Sequence, residues 1–106
     1  MNYTDYMQPV LDALRAMGGS GKPSEVTEAV AKRLKLGASV TGEKSESGQN
    51  QFQNRVAWAR FYLVKSGHID GSVKGVWTLT TKGKSAKSVD TDKVNKLARE
   101  ASKVAP

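Results

Sequence analysis

Five side-chain amides fall within six positions of this sequence: Gln49, Asn50, Gln51, Gln53 and Asn54, with Arg55 directly after them. An amide presents a donor and an acceptor side by side, which suits two-point pairing with adenine in a major groove. A guanidinium does the same with guanine. A well-placed pair of this kind contributes about 1–3 kcal/mol of discrimination between bases. The bland reading is a polar helix start rich in capping residues, and so dense a run of amides weighs against it. If Phe52 turns inward, Asn50, Asn54 and Trp58 point most nearly outward, with Gln51 and Gln53 flanking them.

The charge distribution agrees with a polyanionic partner. Of 106 residues, the first 53 hold six basic and six acidic side chains; the rest hold eleven basic and four acidic, so the second half carries the whole net +7. Between Asn54 and Ser88 there are seven basic residues and one acid, Asp70. Lys74, with Ser72 beside it, suits a phosphate contact near a hairpin tip, and Lys82 and Lys84 follow. Lys22 and Ser24 stand at a helix start, where backbone N–H groups favour an anion. Any one of these lysines alone reads as an ordinary solvated charge; only the set points to an anionic partner.

Other chemistries find little here. There is no cysteine, and the lone His68 has no partner set for a metal. The run Gly18-Gly19-Ser20-Gly21-Lys22-Pro23-Ser24 lacks the spacing and the preceding strand of a phosphate-binding loop. No catalytic residue, metal or cofactor is expected. No apolar run approaches the roughly 20 residues that span a bilayer. Asp5 and Asp12 interrupt the early apolar stretch, so it does not read as a secretory leader. The expected location is the cytoplasm.

Hydrophobic periodicity predicts the helices and strands that carry these residues. A first helix is expected from about Thr4 or Asp5 to Met17, with Met7, Val10, Leu11 and Leu14 inward and Gly18-Gly19 as its stop. An extended piece over Ser20–Lys22 precedes a second helix that opens at Pro23-Ser24, buries Val26, Ala29, Val30 and Leu34, and stops at Gly37. Residues 37–48 read as a polar, flexible connection. A third helix spans about Gln49 to Ser66, with Phe52, Val56, Ala59 and Leu63 as its core stripe. Its second half is apolar on nearly every side, so it is expected to be covered on several sides. Trp58 is accordingly expected in the core, with a base contact as the alternative. A hairpin follows: His68–Asp70, a turn over Gly71–Gly75, and Val76–Thr80, with Ile69, Trp77 and Leu79 inward. Thr80 or Thr81 is expected to cap a short turn through Lys84. An amphipathic tail over about Asp90–Val104 needs a packing partner. The sum is a mainly α winged helix-turn-helix: a three-helix core, a small β-hairpin wing and an extra C-terminal helix. The domain is expected over 1–88, with 89–106 as a helix or linker.

The stretches Tyr6-Met7-Gln8-Pro9-Val10-Leu11, Gln51 through Leu63 (QFQNRVAWARFYL) and Gly75-Val76-Trp77-Thr78-Leu79-Thr80 resemble the N-terminal domain of Mrr-type restriction endonucleases over about residues 3–88. The resemblance implies a winged helix that binds duplex DNA in an enzyme whose separate nuclease domain cuts, typically at methylated sites. Carried onto this chain, it points to Asn54, Arg55, Trp58 and the wing around Lys74. The nuclease half has no counterpart, so no cutting activity is expected of this chain, and a nuclease domain is expected in a longer parent protein. Two other readings stay open: a stand-alone regulator that dimerises through the tail helix, and a winged helix that binds protein rather than DNA.

Overall fold

A computed structural model describes residues 2–37 and 51–103. Asn2 accepts a hydrogen bond from the Tyr3 N–H and Asp5 accepts one from the Asn2 N–H, a reciprocal cap. This cap starts a 3-10 turn, Tyr3–Tyr6, earlier than the expected helix start, and the turn runs into α1, Met7–Ala16. Next come β1 (Ser20–Gly21), α2 (Pro23–Arg33), α3 (Gln51–Lys65), β2 (Ile69–Asp70), β3 (Trp77–Leu79), α4 (Thr81–Ser85) and α5 (Thr91–Lys103). The strands form an antiparallel sheet in the order β1-β3-β2, with Gly21 opposite Trp77 and Ile69 opposite Leu79. Among the described residues, three helices followed by a β2–β3 wing match the winged-helix expectation, and β1 adds the third strand.

Helix ends are closed in one way three times. The residue after the C-cap takes a left-handed conformation and the next N–H reaches back to a carbonyl five residues earlier. Gly19 bonds Leu14 after Gly18, and His68 bonds Leu63 after Gly67. In α2 the left-handed position is Lys35, φ 54°, and Leu36 bonds Ala31. The expected stop at Gly37 is therefore corrected: the helix closes at Leu34–Lys35 without using glycine's freedom.

One core joins the 3-10 turn, α1, α2, α3, β2, β3 and α5. Tyr6, Met7, Val10, Leu11 and Leu14 meet Val26 and Val30 of α2, Phe52, Val56, Ala59 and Leu63 of α3, and Ile69, Trp77 and Leu79 of the sheet. Val94 of α5 belongs to the same cluster, so the tail helix has found its partner on α3. The segment between α4 and α5 is tied back to α1: Gln8 accepts from the Val89 N–H at 2.6 Å, and Arg15 donates to the Ala86 carbonyl at 2.9 Å. Thr80 caps α4 by accepting from the Gly83 N–H, as the threonines there suggested.

Candidate nucleic-acid interface

α3 turns one buried and three different outward aspects to its surroundings. Phe52, Val56, Ala59 and Leu63 are buried, as the stripe predicts. At about 100° per residue, Gln53, Ala57, Arg60 and Val64 lie on one flank, towards α2 and the wing. Gln51, Arg55 and Tyr62 lie on the other, towards the 3-10 turn and α5. Asn54, Trp58 and Phe61 ride the outer ridge.

On the first flank, α2 and α3 border an open groove of about 730 Å3. Ser24 and Thr27 line one wall, Gln53 and Ala57 the other, with Phe52 and Trp77 between. This brings together three residues that lie far apart in the sequence: Ser24 at the exposed start of α2, the exposed amide Gln53, and Trp77 at the root of the wing. Lys22 is the N-cap of α2 and Pro23 its first residue, so the orphan N–H groups of that helix open beside the groove.

The wing adds a cation. Its turn is set by Asp70, whose carboxylate accepts from the Ser72 N–H at 2.9 Å, and by Gly75 at φ 80°. Ser72's hydroxyl and N–H together hold the Asp70 carboxyl below its ordinary range. Ser72 is thus engaged within the turn, whereas Val73 and Lys74 are exposed at the tip.

Arg60 is a residue that sequence reasoning missed. Its guanidinium lies 5.7 Å from the centre of the Trp77 ring, against the wing. A Cβ on Gly71 would come within 2.7 Å of its Nη2, so glycine at that position leaves room for the guanidinium. Arg60 Nε is buried without a hydrogen-bond partner. The only sequence signal was its position as the one polar break in an apolar helix half.

The second flank differs from expectation. Arg55 is half-buried, and its Nη2 donates to Gln51 Oε1 at 2.9 Å, so these two candidates hold each other. Trp58 is 49% exposed and Phe61 41%, which corrects the expectation of a tryptophan in the core and of a helix half covered all round. The cause is local: Tyr62 takes the contact that the apolar run needed, stacking on Tyr3 at 4.9 Å, and leaves its two neighbours on the ridge. Burial and the adjoining Tyr62 push the Tyr3 hydroxyl above its ordinary value, so it remains a donor. That hydroxyl donates to Asn95 Oδ1 of α5.

The remaining candidates sit apart. Lys82 lies at the C-terminal end of α3, where its Nζ donates to the Ser66 carbonyl at 2.9 Å and complements the helix dipole. A 15-residue helix puts that end about 20 Å from the amides. Lys84 is exposed, with its stem near Gly19 at the edge of the sheet. Asn50 and most of the 37–48 connection lie outside the described residues. Among the described residues no cluster of three or more His, Cys, Asp or Glu side chains could hold a metal, and no helix is long and apolar enough to cross a membrane.

The sequence profile of the Mrr N-terminal domain matches residues 3–88. The chain belongs to that family. It is 32% identical over 81 residues to the type IV methyl-directed restriction enzyme EcoKMrr of Escherichia coli strain K12. The match takes in 76% of this chain but 27% of the relative, so the chain corresponds to about a quarter of that enzyme's length. No solved structure matches the chain.

Proposed function

We propose that this chain binds duplex DNA and acts as the DNA-recognition module of a restriction system directed to methylated sites, with cutting left to a nuclease domain in a longer parent protein. The observation that carries the reading is the groove between α2 and α3, which Ser24 at the start of α2, the Gln53 amide and Trp77 at the root of the wing line together; exposed Lys22 and Asn54 are their chain neighbours, and Lys74 is exposed at the wing tip. In this arrangement the amides address base edges while α2 and the wing hold phosphates on either side. Arg60 supports the wing from beneath. Membership in the Mrr N-terminal family and the methyl-directed activity of the relative support the choice of partner.

The test is a titration of methylated and unmethylated copies of one duplex at two salt concentrations, repeated with Asn54→Ala and Lys74→Glu. Binding should weaken steeply with salt. Asn54→Ala should cost about 1–3 kcal/mol on the preferred site and far less on other sequences. Lys74→Glu should weaken binding to every sequence. No measurable duplex affinity at low salt would sink the reading; equal affinity for both duplexes would remove its methylation part.

A further inference from the structure

The outer ridge of α3 carries a feature that the groove-reading face does not use. Trp58 and Phe61 are both exposed, three residues apart, with ring centres 5.7 Å apart and planes at 77°. Tyr62 backs both rings, at 6.3 Å from Trp58 and 5.7 Å from Phe61. Tyr62 is fixed in turn by its stack on Tyr3, whose hydroxyl is anchored on α5. The exposed rings therefore rest on a braced aromatic rank. An isolated surface tryptophan would have no such support.

The surroundings of the rank are polar and mainly cationic. Lys65 Nζ lies 5.5 Å from the Phe61 ring centre. Arg55 stands three residues before Trp58, its guanidinium held by Gln51. Next to the rank, Tyr3, Tyr62, Asn95 and Arg99 line a cleft of about 430 Å3, to which Asp92 brings one carboxylate. Exposed π-faces beside cations and hydroxyl donors suit a nucleobase with its phosphate attached, because bases stack on aromatic rings while the backbone seeks positive charge. The same cationic rim disfavours a second copy of this chain, which would bring like charges together.

We propose that Trp58 and Phe61 form a stacking platform for an unpaired nucleobase, apart from the groove between α2 and α3. A base displaced from the duplex, or one in a single strand, lies against the indole and the phenyl edge. Its phosphates fall between Arg55, Lys65 and Arg99. The proposal rests on the nucleic-acid reading above, but it concerns the part of the outer ridge beyond Asn54 and a different state of the DNA.

The experiment compares three labelled DNAs by fluorescence anisotropy: a fully paired duplex, the same duplex with one unpaired adenine, and the single strand. The unpaired adenine should strengthen binding about tenfold over the paired duplex. Replacing it with 2-aminopurine should give emission that is quenched on binding. Trp58→Ala and Phe61→Ala should abolish both the preference and the quenching, while Trp58→Tyr keeps most of each. Circular dichroism checks that these exposed substitutions leave the fold intact. Equal binding of paired and unpaired duplexes by the unaltered chain overturns the platform, as does a Trp58→Ala loss that is the same on both. A change in sedimentation of the chain alone, with the preference untouched, assigns the ridge to contact between copies and also overturns it. Lys74→Glu, on the wing, separates the two proposals, since it should weaken the paired duplex and leave the preference for the unpaired base. If paired duplex does not bind but the single strand does, through Trp58, the duplex reading fails and the platform stands.

Discussion

His68 looked idle in the sequence, and its surroundings give it a definite state. It is 6% exposed, its Nδ1 lies 2.7 Å from Ser66 Oγ, and Lys82 is nearby. Burial, reinforced by the Lys82 charge, lowers its pKa from the ordinary 6.5. The folded state therefore prefers neutral His68, while the unfolded chain takes up a proton first as pH falls. The resulting stabilisation is fully present above the unfolded value and is lost as pH drops through it towards the folded one. Urea midpoints should thus fall below about pH 6.5, and His68→Gln should flatten that fall; an unchanged slope in the variant would assign the pH dependence elsewhere. Gly83 is constrained as tightly as His68. A Cβ there would run into the His68 carbonyl, a backbone atom, and press on Leu79. Gly83→Ala should destabilise the fold by about 1–3 kcal/mol in denaturant titrations, even though alanine favours a helix interior by about 1 kcal/mol. A neutral or stabilising result would mean that α4 lies further from His68 than the structure shows.

At the scale of elements, the wing is coupled to α3 through Arg60, Trp77 and Gly71. Gly71→Ala would push on the far end of a flexible side chain, so the guanidinium should swing aside at a cost of about 0.5–1 kcal/mol, the worth of its contact with Trp77. The wing loses its support in the process, and duplex affinity should fall about fivefold while the fold survives, since 1 kcal/mol is about that factor in an equilibrium. Unchanged affinity would mean that the wing is set by its own turn, through Asp70 and Gly75. This coupling was not legible in the sequence, because it depends on a glycine and an arginine eleven positions apart meeting in space. What was legible is what periodicity records: the buried stripe Phe52, Val56, Ala59 and Leu63, the inward Ile69, Trp77 and Leu79, and the amphipathic tail that buries Val94. Periodicity cannot say which neighbour covers an apolar run on both flanks. Trp58 was expected inside because Tyr62 and Tyr3 could not be known to pair. The end of α2 was misplaced because Lys35 occupies the left-handed position that glycine usually fills. The candidate site was legible in its residue types but not in its division, since Gln51 and Arg55 bond to each other on the flank away from Gln53 and the wing.

Across the whole molecule, the net +7 belongs to the second half of the chain, yet folding spreads it over distinct surfaces. Lys74 stands at the wing tip, Lys82 closes the far end of α3, and Lys93, Lys96 and Arg99 lie on α5. A global count of charge would therefore overestimate the cations that reach one duplex. Salt dependence measures the number that do, because each neutralised phosphate contributes about −0.9 to the slope of log K against log salt. Lys74→Gln should make that slope shallower by about 0.9. Lys82→Gln should leave it unchanged, since Lys82 donates to the Ser66 carbonyl about 20 Å from the amides. Asn54→Ala should weaken binding without altering the slope, because an amide at a base edge displaces no counterion. If Lys82→Gln changes the slope as much as Lys74→Gln does, the duplex must lie across the C-terminal end of α3. The groove between α2 and α3 would then be the wrong face.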